Sequence, residues 1–567
     1  MAASADEERP LLIRQLPRQD EYSQYTSDGT VDIYNKPALK RSTGNWRACF
    51  FIMGVEFTEC VAFFAIGKNL VTYLTGVLHE SNVDAARNVS AWIGSSFFTP
   101  LIGAFLADTY SGRYWTVVFS LSIYTVGMLI LSVSAFLPQL MNSSYNRDIH
   151  RVMSYLGLYL AALGNGGIKP CTSALGADQF DSADPVERVA KGSFFNWYYF
   201  SINIGSLLSG TSLVWVQDNV GWGVGFTIPT VFMVAGLAVF VTGRKLYRYK
   251  KVEGSPVRRV SQVVVAAVRN YSVVLPDDSS TLHEVPASTE PNCKIEHTTQ
   301  FRFFDKAAVV ASESKEKDAA TSPWRLCTVS QVEELKMLLR MFPIWASMIL
   351  FFSITAQMSS TFIEQGAAMD NRVGPFSLPP ASLSTFDVIS VMVCIPVYDA
   401  VLVPAARRVT GRERGLSQLQ RLGIGLALSV IGMAYAALVE KRRLAILPGM
   451  MSIMWQAPAY AVLGAGEVFT AIGVLEFFYD QSPSGMKSLA TALAQLTIAV
   501  GNYVNSAVLA AVAAITRRGG KPGWIPDDLN QGHLDYFFWL MAALGSVNVM
   551  HFLHCSVRYR GNNTTAS

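Results

Sequence analysis

The feature that most constrains this chain is a series of long apolar stretches, each long enough to cross a bilayer. A transmembrane helix needs about 20 predominantly apolar residues. Twelve such stretches are spread along the 567 residues, near 48–76, 89–110, 115–137, 152–177, 193–216, 221–243, 338–362, 383–405, 418–439, 450–479, 489–516 and 535–557. Few ionic groups remain for an aqueous surface, since 51% of the residues are hydrophobic and only 16% are charged. The sequence therefore predicts an all-α membrane protein with twelve transmembrane helices.

The apolar stretches fall into two sets of six, separated by a polar segment from Arg244 to Met337. Two equal sets around a long connection are typical of transporters built from two related halves. Apolar residues at helical spacing in 329–340 also predict an amphipathic helix on the membrane surface within the central loop. We therefore expect five parts: an N-terminal tail (1–47), a six-helix bundle (48–243), a central loop (244–337), a second six-helix bundle (338–557) and a short C-terminal tail (558–567).

Lysine and arginine residues are concentrated in the connections on one side of the predicted membrane. Cytoplasmic loops of membrane proteins carry this excess of positive charge. Because both tails and the central loop fall on that side, we expect all three to be cytoplasmic. The connection between the third and fourth stretches is then on the opposite side.

Two acids, Glu56 and Glu59, lie inside the first apolar stretch. An ionised carboxylate is costly in hydrocarbon, so acids at this depth usually line a wet cavity and serve transport. Side chains three residues apart share one face of a helix. The pair is therefore a candidate proton-binding site, and the residue that follows it, Cys60, brings no neutralising charge.

Lys169, in the glycine-rich run Gly164-Asn-Gly-Gly-Ile-Lys-Pro, is a cation inside the fourth stretch. A lone ammonium in hydrocarbon needs a counter-ion, and Glu467 of the tenth stretch is the best candidate. Such a pair would join the two halves, and solute or proton binding could break it, which would make it a gate. The alternative is a static ion pair that sets helix register. The glycines before Lys169 favour the gate, because irregular backbone suits the lining of a cavity.

Three further polar residues are candidates for function. The amide of Asn203 lies inside the fifth stretch, where it needs a partner or water, so we place it in the substrate cavity. Between the second and third stretches, Asp108 and Arg113 can clamp neighbouring helix ends by charge and capping. The run Gly103-Ala-Phe-Leu-Ala-Asp-Thr-Tyr-Ser-Gly-Arg around them resembles the loop 2–3 motif of the major facilitator superfamily, which has a conformational role.

Several function classes are not supported. The chain has no phosphate-binding Gly-x-x-x-x-Gly-Lys-Ser/Thr loop, which disfavours ATP-driven transport. Its 7 histidines and 7 cysteines are dispersed and show no paired metal-ligand spacing. We therefore expect no enzymatic activity, no metal and no other cofactor, with a proton gradient as the energy source. A net charge of +4 is too small to indicate nucleic-acid binding, so the expected partners are the lipid bilayer, a small solute and protons.

A set of motifs resembles the proton-dependent oligopeptide transporters of the major facilitator superfamily, and in particular the plant nitrate/peptide transporter family. The similarity runs from about Gly29 to Arg560 and is strongest to the branch that contains di/tripeptide carriers. The resemblance implies proton-driven symport by alternating access of two six-helix bundles. The motifs that carry it, which are specific when taken together, include Gly44-Asn-Trp-Arg-Ala-Cys, Gly166-Gly-Ile-Lys-Pro-Cys, Gly176-Ala-Asp-Gln-Phe-Asp, Phe194-Phe-Asn-Trp-Tyr-Tyr-Phe-Ser-Ile-Asn-Ile-Gly, Met341-Phe-Pro-Ile-Trp-Ala, Leu475-Glu-Phe-Phe-Tyr-Asp-Gln-Ser-Pro and Asp528-Leu-Asn-Gln-Gly-His-Leu-Asp-Tyr-Phe-Phe-Trp.

The resemblance also implies roles for individual residues. Glu56 and Glu59 match the two acids of the family's first-span motif, and Lys169 and Glu467 match its inter-bundle lysine and glutamate. Thr116 matches a threonine that is phosphorylated in a dual-affinity relative, which makes a kinase acting on the cytoplasmic loops a candidate partner. The alternative for Thr116 is an ordinary threonine at a helix start.

The chain departs from the family pattern directly after the acids. It has Cys60 where the family has arginine or lysine, and Phe63 and Phe64 where peptide carriers have two tyrosines. We place all three in the substrate cavity, where these changes weaken the family's usual peptide site; alternatively, Cys60 only packs and another residue couples protons. Lys68 is about 18 Å along the helix from Glu56, so it is not expected to replace the arginine.

The solute and the membrane stay open. The nitrate-binding histidine of one branch falls at Thr355, near Gln357, and a threonine can donate a hydrogen bond but brings no charge. We expect a symporter of a small nitrogenous solute, with low-affinity nitrate transport slightly favoured over di/tripeptide transport. Another alternative is a transport-inactive sensor whose proton coupling is weakened. The run Glu7-Glu-Arg-Pro-Leu-Leu has the form of an acidic dileucine signal, which directs plant relatives to the vacuolar membrane, so the plasma membrane and the vacuolar membrane are both expected.

Overall fold

A computed structural model describes most of the chain, and its described part is almost wholly helical. The extended structure that it contains is a short antiparallel hairpin, Arg372–Val373 (β1) with Phe376–Ser377 (β2), together with isolated bridges. The described residues are 24–140, 147–181, 184–250, 256–276, 281–284, 297–310, 322–411, 416–446, 448–482, 487–517 and 523–559.

In the described part of the chain, twelve helices of 14 to 31 residues lie where the apolar stretches predict them. The first six are α1 (Asn45–Gly67), α2 (Asn82–Leu106), α3 (Gly112–Leu140), α4 (Arg147–Ala177), α5 (Pro185–Leu208) and α6 (Trp222–Thr242). The second six are α7 (Val329–Thr355), α8 (Ser384–Val397), α9 (Gln418–Ala445), α10 (Ala457–Gln481), α11 (Lys487–Thr516) and α12 (Leu534–Arg558).

Shorter elements extend or interrupt these helices. The short α-helices are Leu70–Gly76, Val214–Asn219, Pro256–Arg269, Thr361–Ala367 and Val403–Thr410. π-Helical turns occupy Ala107–Ser111, Ser209–Leu213 and Tyr398–Leu402. 3₁₀ turns occupy Gly243–Lys245, Arg302–Ala308, Ala356–Ser359, Pro380–Leu383, Ile453–Gln456 and Leu529–Gln531.

Length and composition of the helices agree with a membrane protein. Within the described ranges, 9 segments are long and apolar enough to cross a bilayer, and one of them, Asn82–Pro138, contains α2 and most of α3. In the first bundle, α3 packs along α4 and α6, while in the second α9 packs along α10 and α12. The predicted all-α fold of two helical bundles is confirmed.

The amphipathic helix that is predicted at 329–340 is not a separate element. These residues form the first turns of α7, which begins at a capping box made by Thr328 and Gln331. No glycine or proline interrupts the run before Pro343, so the amphipathic turns continue directly into the transmembrane part of the helix. The central loop folds against these turns instead, through the cluster formed by Val263, Ala266 and Ala267 of Pro256–Arg269 with Val332 and Leu335.

The N-terminal residues 24–44 mark one end of the first bundle, here named the tail side. The backbone N–H and the hydroxyl of Ser27 both donate to Asp181, just after α4. Lys40 binds Asp184 at 2.9 Å, and this ammonium holds the pKa of Asp184 below its usual value. The tail therefore closes over the connection between α4 and α5.

The opposite end, where β1 and β2 lie, is named the hairpin side, and here the two bundles touch. Asn82 Nδ2, at the start of α2, donates to the carbonyl oxygen of Pro526 at 3.1 Å. Deeper along α2 and α11, Asn505 Nδ2 donates to Ser90 Oγ at 2.9 Å. These contacts hold the two bundles together along α2 and α11 and at the hairpin side.

We expect Gly103→Ala to destabilise the first bundle. Gly103 of α2 lies directly on the backbone of Gly166 and Gly167 in α4, and a Cβ atom there would overlap that backbone. Small residues allow such close helix packing in membranes, and forcing extra volume into it costs about 1–3 kcal/mol. Thermal unfolding of the purified protein in detergent measures this loss. Gly54→Ala on α1 is the matched control, because no atom lies within 4 Å of its added methyl group; equal melting temperatures for both variants would contradict the prediction.

Candidate functional site

The two predicted acids lie deep in the first bundle. Glu56 and Glu59 on α1 are 1% and 0% exposed, and Cys60 beside them is fully buried. The Cys60 thiol lies 3.5 Å from Glu59 Oε2 and 3.7 Å from Glu56 Oε1. The other oxygen of Glu59, Oε1, is buried without a hydrogen-bond partner among the described residues. Both acids therefore face a small polar interior that α1 shares with neighbouring helices.

The predicted partner of Lys169 is wrong for this conformation. Lys169 Nζ lies 2.9 Å from Glu59 Oε2, and it also approaches Cys60 Sγ at 3.9 Å. Lys169 and Glu59 belong to α4 and α1 of the same bundle, which bring the two groups into contact without any contribution from the second bundle. Among the described residues no ion pair includes Glu467.

Glu56 is held by a hydroxyl pair that the sequence did not reveal. Thr172 Oγ1 of α4 lies 2.8 Å from Glu56 Oε2 and 2.9 Å from the Tyr198 hydroxyl of α5. A hydroxyl group carries one hydrogen to donate. The Ile168 carbonyl oxygen lies slightly farther from Thr172 Oγ1, at 3.0 Å. With Thr172 donating to the closer Glu56 and Tyr198 donating to Thr172, the three groups form one hydrogen-bonded chain.

The two phenylalanines that replace the family's tyrosines each carry a lysine ammonium on the ring. Lys169 Nζ lies 5.1 Å from the centre of the Phe63 ring, and Lys68 Nζ lies 5.4 Å from that of Phe64. The two rings meet edge to face at 5.4 Å, and Phe63 also stacks on Trp92 of α2. An ammonium over an aromatic face gains electrostatic attraction. The predicted cavity residues Phe63 and Phe64 thus separate two lysines.

Lys68 and Asp387 are functional candidates that sequence reasoning dismissed or missed. Lys68 is 8% exposed and donates to the Ser206 carbonyl oxygen at 2.9 Å. Asp387, in the first turn of α8, is the acid that interacts electrostatically with Lys68, and Glu467 of α10 interacts with Asp387 in turn. The same signal that identified Glu56, an acid inside an apolar stretch, also applies to Asp387.

The remaining predicted cavity residues differ in their surroundings. Thr355, the last residue of α7, makes one long hydrogen bond of 3.4 Å to the Phe352 carbonyl oxygen. Gln357 is fully buried and bonded to Ser353 and Asn505, so it connects α7 to α11 and is not exposed to a cavity. Asn203 lies on α5 with part of its surface accessible.

The residues of the loop 2–3 motif lie at the tail side. Arg113 pairs with Asp178 just beyond the end of α4, so it joins two connections of the first bundle. The side chain of Asp108 lies outside what the structure describes. Thr116 is 6% exposed, and its hydroxyl donates to the Gly112 carbonyl oxygen at 2.9 Å. A kinase would therefore reach Thr116 only after this turn opens.

Within the described residues, two groups of side chains have the residue types of a metal site, and a lysine ammonium lies against each of them. The first is Glu56, Glu59 and Cys60, which Lys169 contacts. The second, in the central loop, is His297, Asp305 and Glu333, where Lys336 Nζ lies 2.6 Å from Asp305 Oδ1 and 2.8 Å from Glu333 Oε1. A cation is thus already supplied by the chain at both places.

Comparison with known proteins identifies the family. The model of the POT family matches residues 114–525. Protein NRT1/PTR FAMILY 8.3 of Arabidopsis thaliana is 50% identical over 580 residues, which cover 99% of both chains. Protein NRT1/PTR FAMILY 8.5 of the same plant is 52% identical over 93% of this chain and 92% of that one. The chain belongs to the POT family.

Solved structures of POT family members share this fold. An auto-inhibited POT family peptide transporter has a TM-score of 0.69 at 24% identity, covering 92% of this chain and 99% of that one. The POT family transporter PepTSo has a TM-score of 0.68 at 24% identity, covering 91% and 99%. As a POT family member, the chain is a multi-pass membrane protein and a secondary transporter of a small molecule.

Proposed function

We propose that this POT family member is a proton-coupled symporter of small zwitterionic nitrogenous solutes of the di/tripeptide class. The observation that carries the proposal is the charge balance of the interior. Lys169, Asp387 and Glu467 all keep part of their surface accessible. Among the described residues of this interior, the carboxyl groups of Glu56, Glu59, Asp387 and Glu467 outnumber the two ammonium groups, those of Lys68 and Lys169. An excess of carboxylates disfavours the binding of an inorganic anion. It favours a solute that carries an ammonium group and that enters together with protons.

Glu59 is the proposed point of coupling. Its carboxylate holds Lys169 while it is ionised. A proton on Glu59 removes that negative charge, so the Lys169 ammonium becomes available to the carboxylate of a solute. Because the same pair responds to both ligands, binding of the proton favours binding of the solute, and this coupling is reciprocal.

Glu56 has a supporting part in this scheme. Its hydrogen-bonded chain through Thr172 to Tyr198 satisfies the carboxylate without a cation. Because Glu59 is the member of the pair that holds the Lys169 ammonium, we assign proton binding within the pair chiefly to Glu59. Glu56 keeps Cys60 and Thr172 in place around it. The Cys60 thiol, in contact with both acids and Lys169, packs the space where the family has a cation.

Nitrate is the second candidate solute, and Thr355 is the observation in its favour. The Thr355 hydroxyl makes only a long hydrogen bond to its own helix, so it can turn to donate to an anion. A nitrate ion would then have to displace Glu59 from Lys169, which requires at least one proton for each nitrate. This candidate brings no partner for Asp387 or Glu467.

The topology and location follow the charge distribution. We place the tail side, the central loop and both termini in the cytoplasm, and the hairpin side outside the cytoplasm, with bundles at 48–243 and 338–557. The dileucine run at Glu7 lies outside the described residues, and both the plasma membrane and the vacuolar membrane fit the proposal.

Uptake by proteoliposomes tests the function directly. We expect labelled dialanine to accumulate when the outside is acidic and to stop accumulating when a protonophore removes the gradient, because each pH unit supplies about 1.4 kcal/mol per proton. Labelled nitrate is measured in parallel under the same gradients. Acid-stimulated accumulation of nitrate without dialanine would favour the second candidate. Binding of either solute without uptake at any pH would overturn the proposal of a carrier and would favour a transport-inactive sensor.

A further inference from the structure

Lys68 has an unusual position for a cation in a transmembrane bundle. It directly follows α1 at the hairpin side and is almost fully buried. An ammonium group has three N–H donors, and Lys68 donates to the neutral carbonyl oxygen of Ser206 while its Nζ lies over the Phe64 ring. A neutral carbonyl does not compensate a buried positive charge, so this lysine needs an anionic group.

The anionic group comes from the opposite bundle. Asp387 of α8 interacts electrostatically with Lys68. Two atoms of this turn, Thr385 Oγ1 and Asp387 Oδ1, are buried without hydrogen-bond partners among the described residues. Buried polar atoms without partners are costly, which marks this turn as a place where a polar ligand would gain hydrogen bonds.

Two glycines allow the polar groups to approach one another. A Cβ atom on Gly210, beyond α5, would lie 2.8 Å from Lys68 Nζ and 3.3 Å from Thr385 Oγ1. Lys68 Nζ of the first bundle and Thr385 Oγ1 of the second therefore both lie close to the backbone of Gly210. Gly464 of α10 similarly lies against Asp387. A side chain at either position would push these groups apart.

We propose that Lys68, Thr385 and Asp387 form an outer entry site that binds the two charged ends of a zwitterionic solute, with Lys68 taking the carboxylate and Asp387 taking the ammonium group. The inference rests on the proposed function, whose solute class it uses. The three groups lie at the hairpin side, where the bundles meet and which we assign to the outside. When the bundles part there, opposite charges on facing walls become open to the external solution.

The exchange of partners gives this site its selectivity. In the closed structure the opposite charges of Lys68 and Asp387 attract each other across the two bundles without a direct ion pair among the described residues. Parting the bundles leaves both charges uncompensated, and a zwitterion compensates both of them at once, whereas an inorganic anion compensates only Lys68. The family has a cation at the position of Cys60. Lys68 supplies a cation in the same apolar stretch, but it lies closer to the entrance.

Competition for dialanine uptake by the full-length protein tests the assignment of each charge. We expect Lys68→Met to raise the KM for external dialanine about tenfold, since a hydrogen bond to a charged group contributes about 1.5–3 kcal/mol. Competition by dialanine amide, which has no carboxylate, is expected to stay unchanged. Asp387→Asn is expected to weaken dialanine and its amide alike and to leave competition by N-acetyl-dialanine unchanged. Lys68→Arg is expected to keep the KM within about threefold, because it keeps the charge.

Arg87→Met is the matched control, because Arg87 pairs with Asp84 of its own helix and is partly exposed; its KM should not change. An unchanged KM in Lys68→Met, or equal losses for dialanine and its amide, would overturn the entry site while leaving the proposed function intact. No dialanine uptake by the unaltered protein would overturn both. If Lys68→Met does not reach the membrane, the double variant Lys68→Met/Asp387→Asn is used, because it removes both charges together. The entry site requires that this variant no longer prefers dialanine over dialanine amide or over N-acetyl-dialanine.

Discussion

Replacement of Lys169 by methionine is expected to reduce proton-driven uptake by about 100-fold or more. The ammonium of Lys169 is the partner of Glu59 at 2.9 Å and lies on the Phe63 ring. Removing one member of a buried ion pair costs about 3–5 kcal/mol, because the remaining charge is left uncompensated. An ionised Glu59 would then have no counter-ion, which hinders release of its proton during the cycle, and the solute carboxylate would lose its cation. Uptake of labelled dialanine into proteoliposomes under a fixed inward proton gradient measures the loss.

Two comparisons separate this loss from a general defect. Lys441→Met removes an exposed lysine at the end of α9 and should leave uptake unchanged. The double variant Lys169→Met/Glu59→Gln has no uncompensated charge at the pair, so its melting temperature in detergent should return toward that of the unaltered protein while uptake stays low. Full uptake by Lys169→Met would show that the pair has no part in transport.

Glu59→Gln is expected to abolish accumulation against a gradient and its dependence on external pH. Glutamine has nearly the shape of glutamate but neither binds nor releases a proton. The Lys169 ammonium would also be released permanently from its carboxylate, so solute could still bind and exchange. We therefore expect accumulation to fall about 100-fold, whereas exchange of external for internal dialanine, with no proton gradient, stays within about threefold.

Glu56→Gln is the matched variant one turn earlier on the same helix. Its amide oxygen can accept the Thr172 hydrogen bond that Glu56 accepts now, so accumulation should persist in this variant. Asp84→Asn, an exposed acid at the start of α2, serves as the control for loss of an acid. The reverse result, with accumulation lost in Glu56→Gln and kept in Glu59→Gln, would move the proton site to Glu56.

The sequence identified charged residues of the candidate site, but it did not identify the partner that Lys169 has in the structure. Glu56, Glu59 and Lys169 were found because charge inside an apolar stretch is costly wherever the stretch lies. The partner of Lys169 was chosen by the same logic from acids in other stretches, and the choice fell on Glu467. Several acids satisfy that logic, and only the packing of α4 against α1 selects Glu59.

Lys68 shows a second limit of reasoning along one helix. The distance of Lys68 from Glu56 along the helix excluded Lys68 from the predicted proton-binding pair. In the structure Lys68 lies at the hairpin side, beside Ser206 and Gly210. Its relation to Asp387 depends on the meeting of α1 and α8, since the two residues are more than 300 positions apart in the sequence. Gln357 is the converse case, since its position near Thr355 predicted a cavity residue, whereas tertiary contacts with Asn505 bury it.

The sequence by itself determined that the chain is a helical membrane protein of two halves with acids and a lysine in its interior. Hydropathy and the cost of a buried charge are properties of local stretches, so no tertiary information was needed. Only the tertiary structure decided that Glu59 pairs with Lys169, that Thr172 and Tyr198 hold Glu56, and that the charges of Lys68 and Asp387 attract each other across the two bundles. Ion pairs and hydrogen bonds act over a few ångströms, and those distances exist only once helices remote in sequence have packed.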